Sequence, residues 1–204
     1  MINLKIAIQK SGRLNEDSLT LLKECGISIN NGKDQLMAQA SNFRLDVLYL
    51  RNSDIPQYVR DGVADIAIIG DNTEKEKKTG IRHVLDLGFS RCRLSIAVPK
   101  NVDFQDISYL QGKKIATSYP NSLKDFLTEN DIEAEIHEIS GSVEIAPNIG
   151  LADAICDLVS SGSTLFKNGL KEVYKIFESQ AILVANSGLC GEKQELLAQL
   201  VFRI

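Results

Sequence analysis

Short apolar runs alternate with helical patterns along most of the chain. The first apolar run, 4–9, predicts a strand, and the next segment, 14–25, has apolar side chains at helical spacing and ends before Gly26. Further strands are predicted at 36–40, 45–50, 66–69, 94–98, 114–116, 135–139 and 154–159, and further helices at 54–62, 122–129, 147–150 and 164–169. This alternation predicts an α/β fold with mixed, mostly parallel sheets.

Two segments of about 20 residues repeat one order of features. They are DIPQYVRDGVADIAIIGDNT, residues 54–73, and EIAPNIGLADAICDLVSSGST, residues 144–164. Each begins with an acidic residue, Ile and Pro, continues through Gly-Val/Leu-Ala-Asp into an apolar strand, and ends in a small polar loop. The repeat predicts two similar lobes. Open α/β sheets bind ligands where their strands end, so each loop is a candidate site.

The overall charge narrows the class of partner. The formal net charge is -4 and charged residues make up 25% of the chain, so we expect no binding to nucleic acid or to an anionic membrane. The first residues lack a signal-peptide pattern and the chain lacks an 18-residue apolar span, which predicts a cytoplasmic protein. The four cysteines lie far apart, which favours free thiols over a zinc or disulfide framework.

The stretch DLVSSGSTL, residues 157–165, predicts an anion site. The apolar run before it also fits helical spacing, but the helical patterns on both sides favour a strand. A strand, a small-residue turn and a helix start gather backbone N–H groups around one point. The side chains of Ser160, Ser161, Ser163 and Thr164 add hydroxyl donors, and Gly162 permits a left-handed turn. A plain turn that caps the helix through Ser163 is the alternative.

Two acidic residues precede this loop. Asp153 stands just before the predicted strand, and Asp157 lies near its end, three residues before Ser160. A carboxylate repels phosphate but accepts hydrogen bonds from vicinal hydroxyls, as in a phosphorylated ribose. The pattern therefore indicates a sugar-phosphate site, although an aspartate at a strand end is often a turn former.

These residues belong to a longer pattern that resembles the ATP phosphoribosyltransferase family. The pattern comprises Glu144, Gly150, Ala152, Ile155, Asp157, Leu158, Ser161, Gly162, Thr164 and Leu165. The runs QKSGRL, LRNSDIPQYVRDGVADIAIIGDN, CRLSIAVP and KKIATSYP resemble the family in the same order. The resemblance implies transfer of the 5-phosphoribosyl group of phosphoribosyl pyrophosphate to N1 of ATP, the first step of histidine biosynthesis. It also implies Mg²⁺ carried by the substrate pyrophosphate, with no direct protein ligand.

The resemblance also implies roles for individual residues. The loop 160–164 binds the 5-phosphate, Asp153 and Asp157 hold the ribose hydroxyls, and Glu144 supports that site. Catalytic roles fall to Lys10, Arg13 and Asp157, and ATP binding to Lys10, Gly12, Arg13, Arg51, Asp71 and Tyr119. The alternatives are solvated turn residues for Lys10 and Arg13, an ion pair with Asp54 for Arg51, and packing for Tyr119. Where many relatives carry an arginine the chain reads Lys33-Asp34-Gln35, so either Lys33 replaces it or Arg13 acts alone.

The resemblance implies a two-lobed core like that of bilobal periplasmic binding proteins. Lobe I would comprise 1–92 with 179–204, and lobe II 93–178. It also implies a homo-oligomer: a dimer as a core, or a hexamer in the long form of the family. The apolar stripe Leu196, Leu197, Leu200, Val201 and Ile204 needs a partner. The internal motifs resemble the long form of the family, which implies a catalytic core whose C-terminal regulatory domain is absent.

Three alternatives stay open from the sequence. A natural short form would need a separate regulatory subunit. A non-catalytic bilobal binding or sensor domain would share the fold, because a fold does not dictate a function. A phosphoribosyltransferase that uses a free base in place of ATP is the third.

Overall fold

The computed structural model describes residues 2–30 and 35–204, so the prediction for Lys33 lies outside the described residues. The chain divides into two compact units. Unit 1 contains the residues up to Ser90 together with Gln180–Ile204, and unit 2 is Arg91–Ser179.

Helices and strands alternate in both units. The strands are β1 (Leu4–Gln9), β2 (Met37–Gln39), β3 (Leu45–Leu50), β4 (Ile66–Gly70), β5 (Arg82–Asp86), β6 (Cys92–Pro99), β7 (Lys114–Thr117), β8 (Glu135–Glu138), β9 (Ala154–Val159), β10 (Leu170–Ser179) and β11 (Ala181–Ala185). The helices are α1 (Arg13–Glu24), α2 (Ile55–Arg60), α3 (Asp71–Lys77), α4 (Pro120–Glu129), α5 (Ser163–Lys167) and α6 (Gly191–Arg203). Short 3-10 turns lie at Ile107–Leu110, Val143–Ile145 and Pro147–Ile149.

The two sheets share one arrangement of strands. In unit 1 the order is β2-β3-β1-β4-β11-β5, and in unit 2 it is β10-β6-β9-β7-β8. In unit 1, β3, β1 and β4 are parallel neighbours, and antiparallel β11 and β5 follow β4. In unit 2, β8, β7 and β9 are parallel neighbours, and antiparallel β6 and β10 follow β9. The repeat therefore places β4 and β9 at the same position of two similar sheets, which confirms the prediction of two similar lobes.

The predicted α/β class and the mixed sheets are confirmed, but parallel pairing does not predominate. Four of the nine pairings between described strands are parallel and five are antiparallel. Strands β5, β10 and β11 were not predicted from the sequence, although β11, AILVA, is a continuous apolar run. In β10, LKEVYKIFES, charged residues interrupt the apolar ones, and two register shifts against β6 break the alternation.

The segment after β4 is a helix rather than the predicted polar loop. Helix α3, DNTEKEK, begins at Asp71 directly after Gly70. Its sequence lacks an apolar stripe, which is the feature that identifies an amphipathic helix. Within it Asn72, Thr73 and Glu76 are nonetheless buried. Apolar periodicity therefore could not reveal this element.

An aspartate fixes the start of β4 and of β9. The Asp65 carboxylate accepts a hydrogen bond from the backbone N–H of Lys5, with Oδ2 2.8 Å from the nitrogen. The Asp153 carboxylate accepts one from the backbone N–H of Lys114 at 2.9 Å. In return, the backbone N–H of each aspartate donates to the carbonyl oxygen of the same lysine. The repeated Ala-Asp pair thus ties each strand to its parallel neighbour.

The apolar stripe of α6 packs within unit 1. Leu196, Leu197 and Leu200 are at most 2% exposed and join the core formed by β1, β3 and β4. Near the end of α6, in contrast, the ring of Phe202 is 92% exposed. Most of the stripe that the sequence left without a partner therefore has one in its own unit. Among the described residues, no helix combines the length and the apolar character that a membrane span requires.

Candidate functional site

Strand β9 carries Asp157 to one end of the unit 2 sheet. Ala154 and Cys156 point into the core on one face, whereas Ile155 and Val159 point into the core on the other. Because side chains alternate along a strand, Asp157 lies on the same face as Ile155 and Val159. The 3-10 turn Val143–Ile145 and helix α5 cover this face, since Val143 and Leu165 belong to the same apolar cluster.

A pocket opens on this face beside the end of β9. Its volume is about 240 Å³. Its walls are formed by Glu144, Asp157, Leu158, Val159, Ser160, Ser161, Gly162, Thr164 and Leu165. The predicted phosphate loop and two acidic side chains, Glu144 and Asp157, therefore meet in one cavity.

The loop after β9 presents backbone N–H groups and hydroxyls together. Gly162 has φ 77° and occupies the N-cap position of α5. Ser163 is the first residue of the helix and therefore does not cap it. The helical ladder starts with Phe166 N–H donating to Gly162 O at 3.0 Å. The N–H groups of residues 163–165 precede that ladder, and of these the Ser163 N–H donates to Ser161 Oγ at 3.4 Å. The hydroxyls of Ser161 and Ser163 lie 3.0 Å apart, so they can act on one ligand together.

Asp157 is a half-buried carboxyl group. Burial, which disfavours the charged form, raises the pKa of Asp157 to about 6, and the negative charge of Glu144 acts in the same direction. A hydrogen bond from the Leu158 N–H to Oδ1, at 2.8 Å, opposes the shift. At neutral pH the carboxylate is ionised in a poorly solvated position, where a donor from a ligand would be strongly favoured.

A second group of polar residues approaches the loop from β6 and β10. Arg93 stands opposite Val159 in the β6–β9 pairing, and its Nη1 donates to Ser160 O at 3.1 Å. Its Nε and Nη2 donate to the two carboxylate oxygens of Glu172. The Ser95 hydroxyl donates to Glu172 Oε1 at 2.8 Å. Neither Arg93 nor Glu172 was predicted from the sequence, because only the pairing of β6 with β9 and β10 brings them together.

Asp153 does not join the pocket. It lies just before β9, whereas the loop follows the strand, and six strand residues at about 3.3 Å each separate the two by roughly 20 Å. Its carboxylate is engaged by the Lys114 N–H. The structure therefore places Asp153 at the start of the strand, at the opposite end from the pocket.

The predicted ATP-binding residues of unit 1 lie at one edge of its sheet. Lys10 follows β1, Arg51 follows β3 and Asp71 follows β4. These three strands are parallel neighbours, so their carboxyl ends share an edge. The Lys10 N–H donates to Leu50 O at 2.8 Å, which fixes the ends of β1 and β3 at the same level.

The loop after β1 leads into α1. Gly12 has φ 88° and is the N-cap residue of α1, and Arg13 is its first residue. Lys10, Gly12, Arg13 and Arg51 are exposed. Asp71 pairs with Lys75 one turn further along α3.

Tyr119 follows β7 at the carboxyl end of the unit 2 sheet. It is the N-cap residue of α4, and its ring packs against the core below. Its backbone N–H donates to Thr117 Oγ1 at 2.8 Å. Since β7 and β9 are parallel neighbours, Tyr119 lies at the same sheet edge as the loop after β9.

The chain is similar to ATP phosphoribosyltransferases over nearly its whole length. Residues 51–204 match the family model described as ATP phosphoribosyltransferase. The chain is 59% identical to the ATP phosphoribosyltransferase of Cytophaga hutchinsonii over 98% of its own length and 70% of the relative's. It is 53% identical to that of Phocaeicola vulgatus, over 98% and 71%.

Solved structures show the same relationship and the wider fold. A chain of the ATP phosphoribosyl transferase (HisG:HisZ) complex from Thermotoga maritima matches with a TM-score of 0.84 and 30% identity, over 98% of this chain and 96% of that one. A histidine kinase sensor domain similar to periplasmic binding proteins matches with a TM-score of 0.63 at 11% identity, over 98% and 88%. The second likeness concerns the fold alone.

Proposed function

The chain belongs to the ATP phosphoribosyltransferase family, and on this premise we propose how its residues carry out the transfer. Phosphoribosyl pyrophosphate donates its 5-phosphoribosyl group to N1 of ATP, and pyrophosphate leaves, as the first step of histidine biosynthesis. One observation carries the assignment of the donor site: the loop after β9 and the Asp157 carboxylate line the same pocket.

The 5-phosphate of the donor binds to the loop 160–164. The N–H groups that precede the α5 ladder and the hydroxyls of Ser161, Ser163 and Thr164 are its donors. Consecutive N–H groups in a turn of this kind form a concave anion site. Gly162, in the left-handed conformation, allows the backbone to curve around the phosphate.

The ribose hydroxyls bind to the acidic side of the pocket. Asp157 accepts from the hydroxyls, and Glu144 lies beside it on the turn that covers the same sheet face. Positive charge develops on the ribose ring as the bond to pyrophosphate breaks. A buried carboxylate next to that ring stabilises the charge, which is a typical catalytic contribution of preorganised electrostatics.

The reaction exchanges one bond for another at carbon 1 of the ribose. The lone pair of adenine N1 forms the new bond, and the electron pair of the broken bond leaves with pyrophosphate. N1 of ATP carries no proton, so the attack needs no general base. Lys10 and Arg13 stabilise the leaving group, and Gly12, Arg51, Asp71 and Tyr119 contribute to the ATP site.

Mg²⁺ binds with the donor pyrophosphate. Among the described residues, no group of three or more His, Cys, Asp or Glu side chains is arranged to hold a metal ion. Mg²⁺ in phosphate-transfer enzymes is commonly held by substrate phosphates and one or two protein carboxylates, and we infer that here it would arrive on the donor pyrophosphate. When bound, it neutralises charge on the departing pyrophosphate.

The proposal also includes association with other chains. The Thermotoga relative is described as part of a HisG:HisZ complex. Phe202, at the end of α6, is 92% exposed, and self-association would remove its ring from water. We expect light scattering to give a mass above that of one 22.5 kDa chain.

Pyrophosphate release tests the function directly. The chain with ATP, phosphoribosyl pyrophosphate and Mg²⁺ should release pyrophosphate and form a phosphoribosyl adduct of ATP detectable by mass spectrometry. Adenine or orotate in place of ATP should give no release. Ligand binding without turnover would instead favour a sensor, and turnover with a free base would favour another phosphoribosyltransferase.

A variant of the pocket tests the assigned site. Asp157→Ala should reduce turnover at least tenfold, because it removes a contact made to the reacting sugar rather than core packing. Turnover at the wild-type rate would reject the pocket as the donor site.

A further inference from the structure

The structure contains a set of side chains that hold the phosphate loop without belonging to it. We propose that Arg93 and Glu172 are positioning residues for the donor site, and that Glu172 acts through Arg93. This inference rests on the proposed function, because it concerns the loop assigned there to the 5-phosphate.

Arg93 contacts the backbone of the phosphate loop directly. Arg93 Nη1 donates to the carbonyl oxygen of Ser160, the first loop residue, at 3.1 Å. A peptide unit is planar and trans, so its C=O and the following N–H point in opposite directions. Fixing the Ser160 carbonyl therefore also fixes the direction of the Ser161 N–H. That N–H belongs to the loop that binds phosphate in our proposal.

Glu172 fixes the orientation of the Arg93 side chain. Two of its nitrogens donate to the two oxygens of Glu172, which is the bidentate geometry that sets both position and plane of a guanidinium. This hydrogen bonding lowers the pKa of Glu172 and raises that of Arg93, so both stay charged. The Ser95 hydroxyl, which donates to Glu172 Oε1 at 2.8 Å, holds the carboxylate in turn.

The ion pair with Glu172 also limits the positive charge that Arg93 presents to the loop. The Glu172 carboxylate neutralises the guanidinium, so Arg93 adds little net positive charge for a phosphate. Its effect on the loop is then geometric. A lysine at position 93 would keep the charge but lacks the planar fork, in which Nε and Nη2 reach Glu172 while the separate Nη1 reaches Ser160 O.

Steady-state kinetics of the full chain test the inference. Glu172→Gln and Arg93→Met should each raise KM for phosphoribosyl pyrophosphate about five- to twentyfold, since small displacements of positioning groups have effects of that order. KM for ATP should change less than twofold. Arg93→Lys should resemble Arg93→Met, and the double variant Arg93→Met/Glu172→Gln should be no worse than Arg93→Met alone.

The control is Glu135→Gln. Glu135 lies on β8 of the same sheet, and its carboxylate pairs with His137 Nε2 at 2.7 Å on the surface. This variant should keep both KM values. Thermal melts and calorimetric titration of each variant with ribose 5-phosphate distinguish a displaced loop from an unfolded one, since only the former lowers affinity in a folded protein.

The outcomes separate this inference from the proposed function. If Asp157→Ala abolishes turnover but Glu172→Gln and Arg93→Met keep the wild-type KM for the donor, the donor site stands and the positioning role is rejected. Additive losses in the double variant, or full recovery by Arg93→Lys, would also reject it. If the wild-type chain neither turns over nor binds ribose 5-phosphate, both proposals fail.

Discussion

Asp153 and Lys114 form a reciprocal pair at the start of β9: the Asp153 carboxylate accepts the Lys114 N–H, and the Asp153 N–H donates to the Lys114 carbonyl. Asp65 and Lys5 form the same pair in the other unit. The two aspartates occupy equivalent positions of the sequence repeat. Asp153 therefore has a structural counterpart, whereas Asp157 corresponds to the apolar Ile69.

The first prediction separates these two acidic residues. Asp153→Ala should lower the free energy of unfolding by about 1 kcal/mol, the typical value of one exposed hydrogen bond, and leave turnover within twofold. Asp65→Ala should cost about 2–3 kcal/mol, because buried Asp65 also pairs with Lys193 Nζ at 2.7 Å. Denaturant unfolding and turnover of both variants check this. A tenfold loss of turnover in Asp153→Ala would return that residue to the active site.

The second prediction concerns stability at Asp157. A carboxyl group whose pKa is raised to about 6 by burial binds its proton more tightly in the folded state than in the unfolded state. This contribution to stability is fully present below pH 3.8, the ordinary pKa, and is lost as pH rises through about 6. Asp157→Asn, which is always neutral, should therefore be more stable than the wild type at pH 8 by about 1–3 kcal/mol.

Melting temperatures at two pH values check that expectation. The advantage of Asp157→Asn should shrink at pH 5, where the native carboxyl group is largely protonated, and the variant should be inactive at both values. An equal advantage at pH 5 and pH 8 would show that the gain comes from packing and not from the buried charge.

The third prediction concerns the pH dependence of catalysis. The ionised form of Asp157 accepts the ribose hydroxyls, so kcat/KM for the donor should rise with a midpoint near pH 6. Glu144→Gln removes a neighbouring negative charge that raises the pKa of Asp157, so the midpoint should move to lower pH. The phosphate of the donor titrates in the same pH range. Its titration is the same for the wild type and for Glu144→Gln, so it does not contribute to a difference between their midpoints. An unchanged midpoint would contradict the coupling between the two carboxyl groups.

The fourth prediction concerns the left-handed turn of the loop. Gly162→Ala should destabilise the protein by about 1 kcal/mol, since an alanine is strained at φ 77°. It should also raise KM for the donor severalfold, because the loop would change its curvature. Gly150→Ala is the matched control: φ is 72°, and an added Cβ would have open space around it. It should show the same loss of stability with an unchanged KM.

The sequence predicted most of the elements with a clear apolar pattern, together with the loop after β9. The strands 4–9, 45–50 and 154–159 were predicted at their observed bounds. Regular alternation or a continuous apolar run marks each of them. Helix α3 and strand β10 were missed because charged residues interrupt their apolar pattern, whereas β11, AILVA, was missed although it is a continuous apolar run.

The site was predictable as far as it is local in the chain. Residues 157–165 form one continuous segment, so their chemistry could be read together. The role of Asp153 could not be predicted from the sequence, because its partner Lys114 lies 39 residues away and becomes a neighbour only through the β7–β9 pairing. The same holds for Arg93 and Glu172, which are 79 residues apart.

Six residues of β9 separate Asp153, which ties the start of the strand to β7, from the loop 160–164 that follows the strand. Adding or deleting one residue there would turn Asp157 to the opposite face of the sheet. The segment should thus accept exchanges among apolar side chains but reject any change in length. Homologous chains should place their insertions in surface connections, such as the turn between β6 and the Ile107–Leu110 segment, and keep this strand at a constant count of residues.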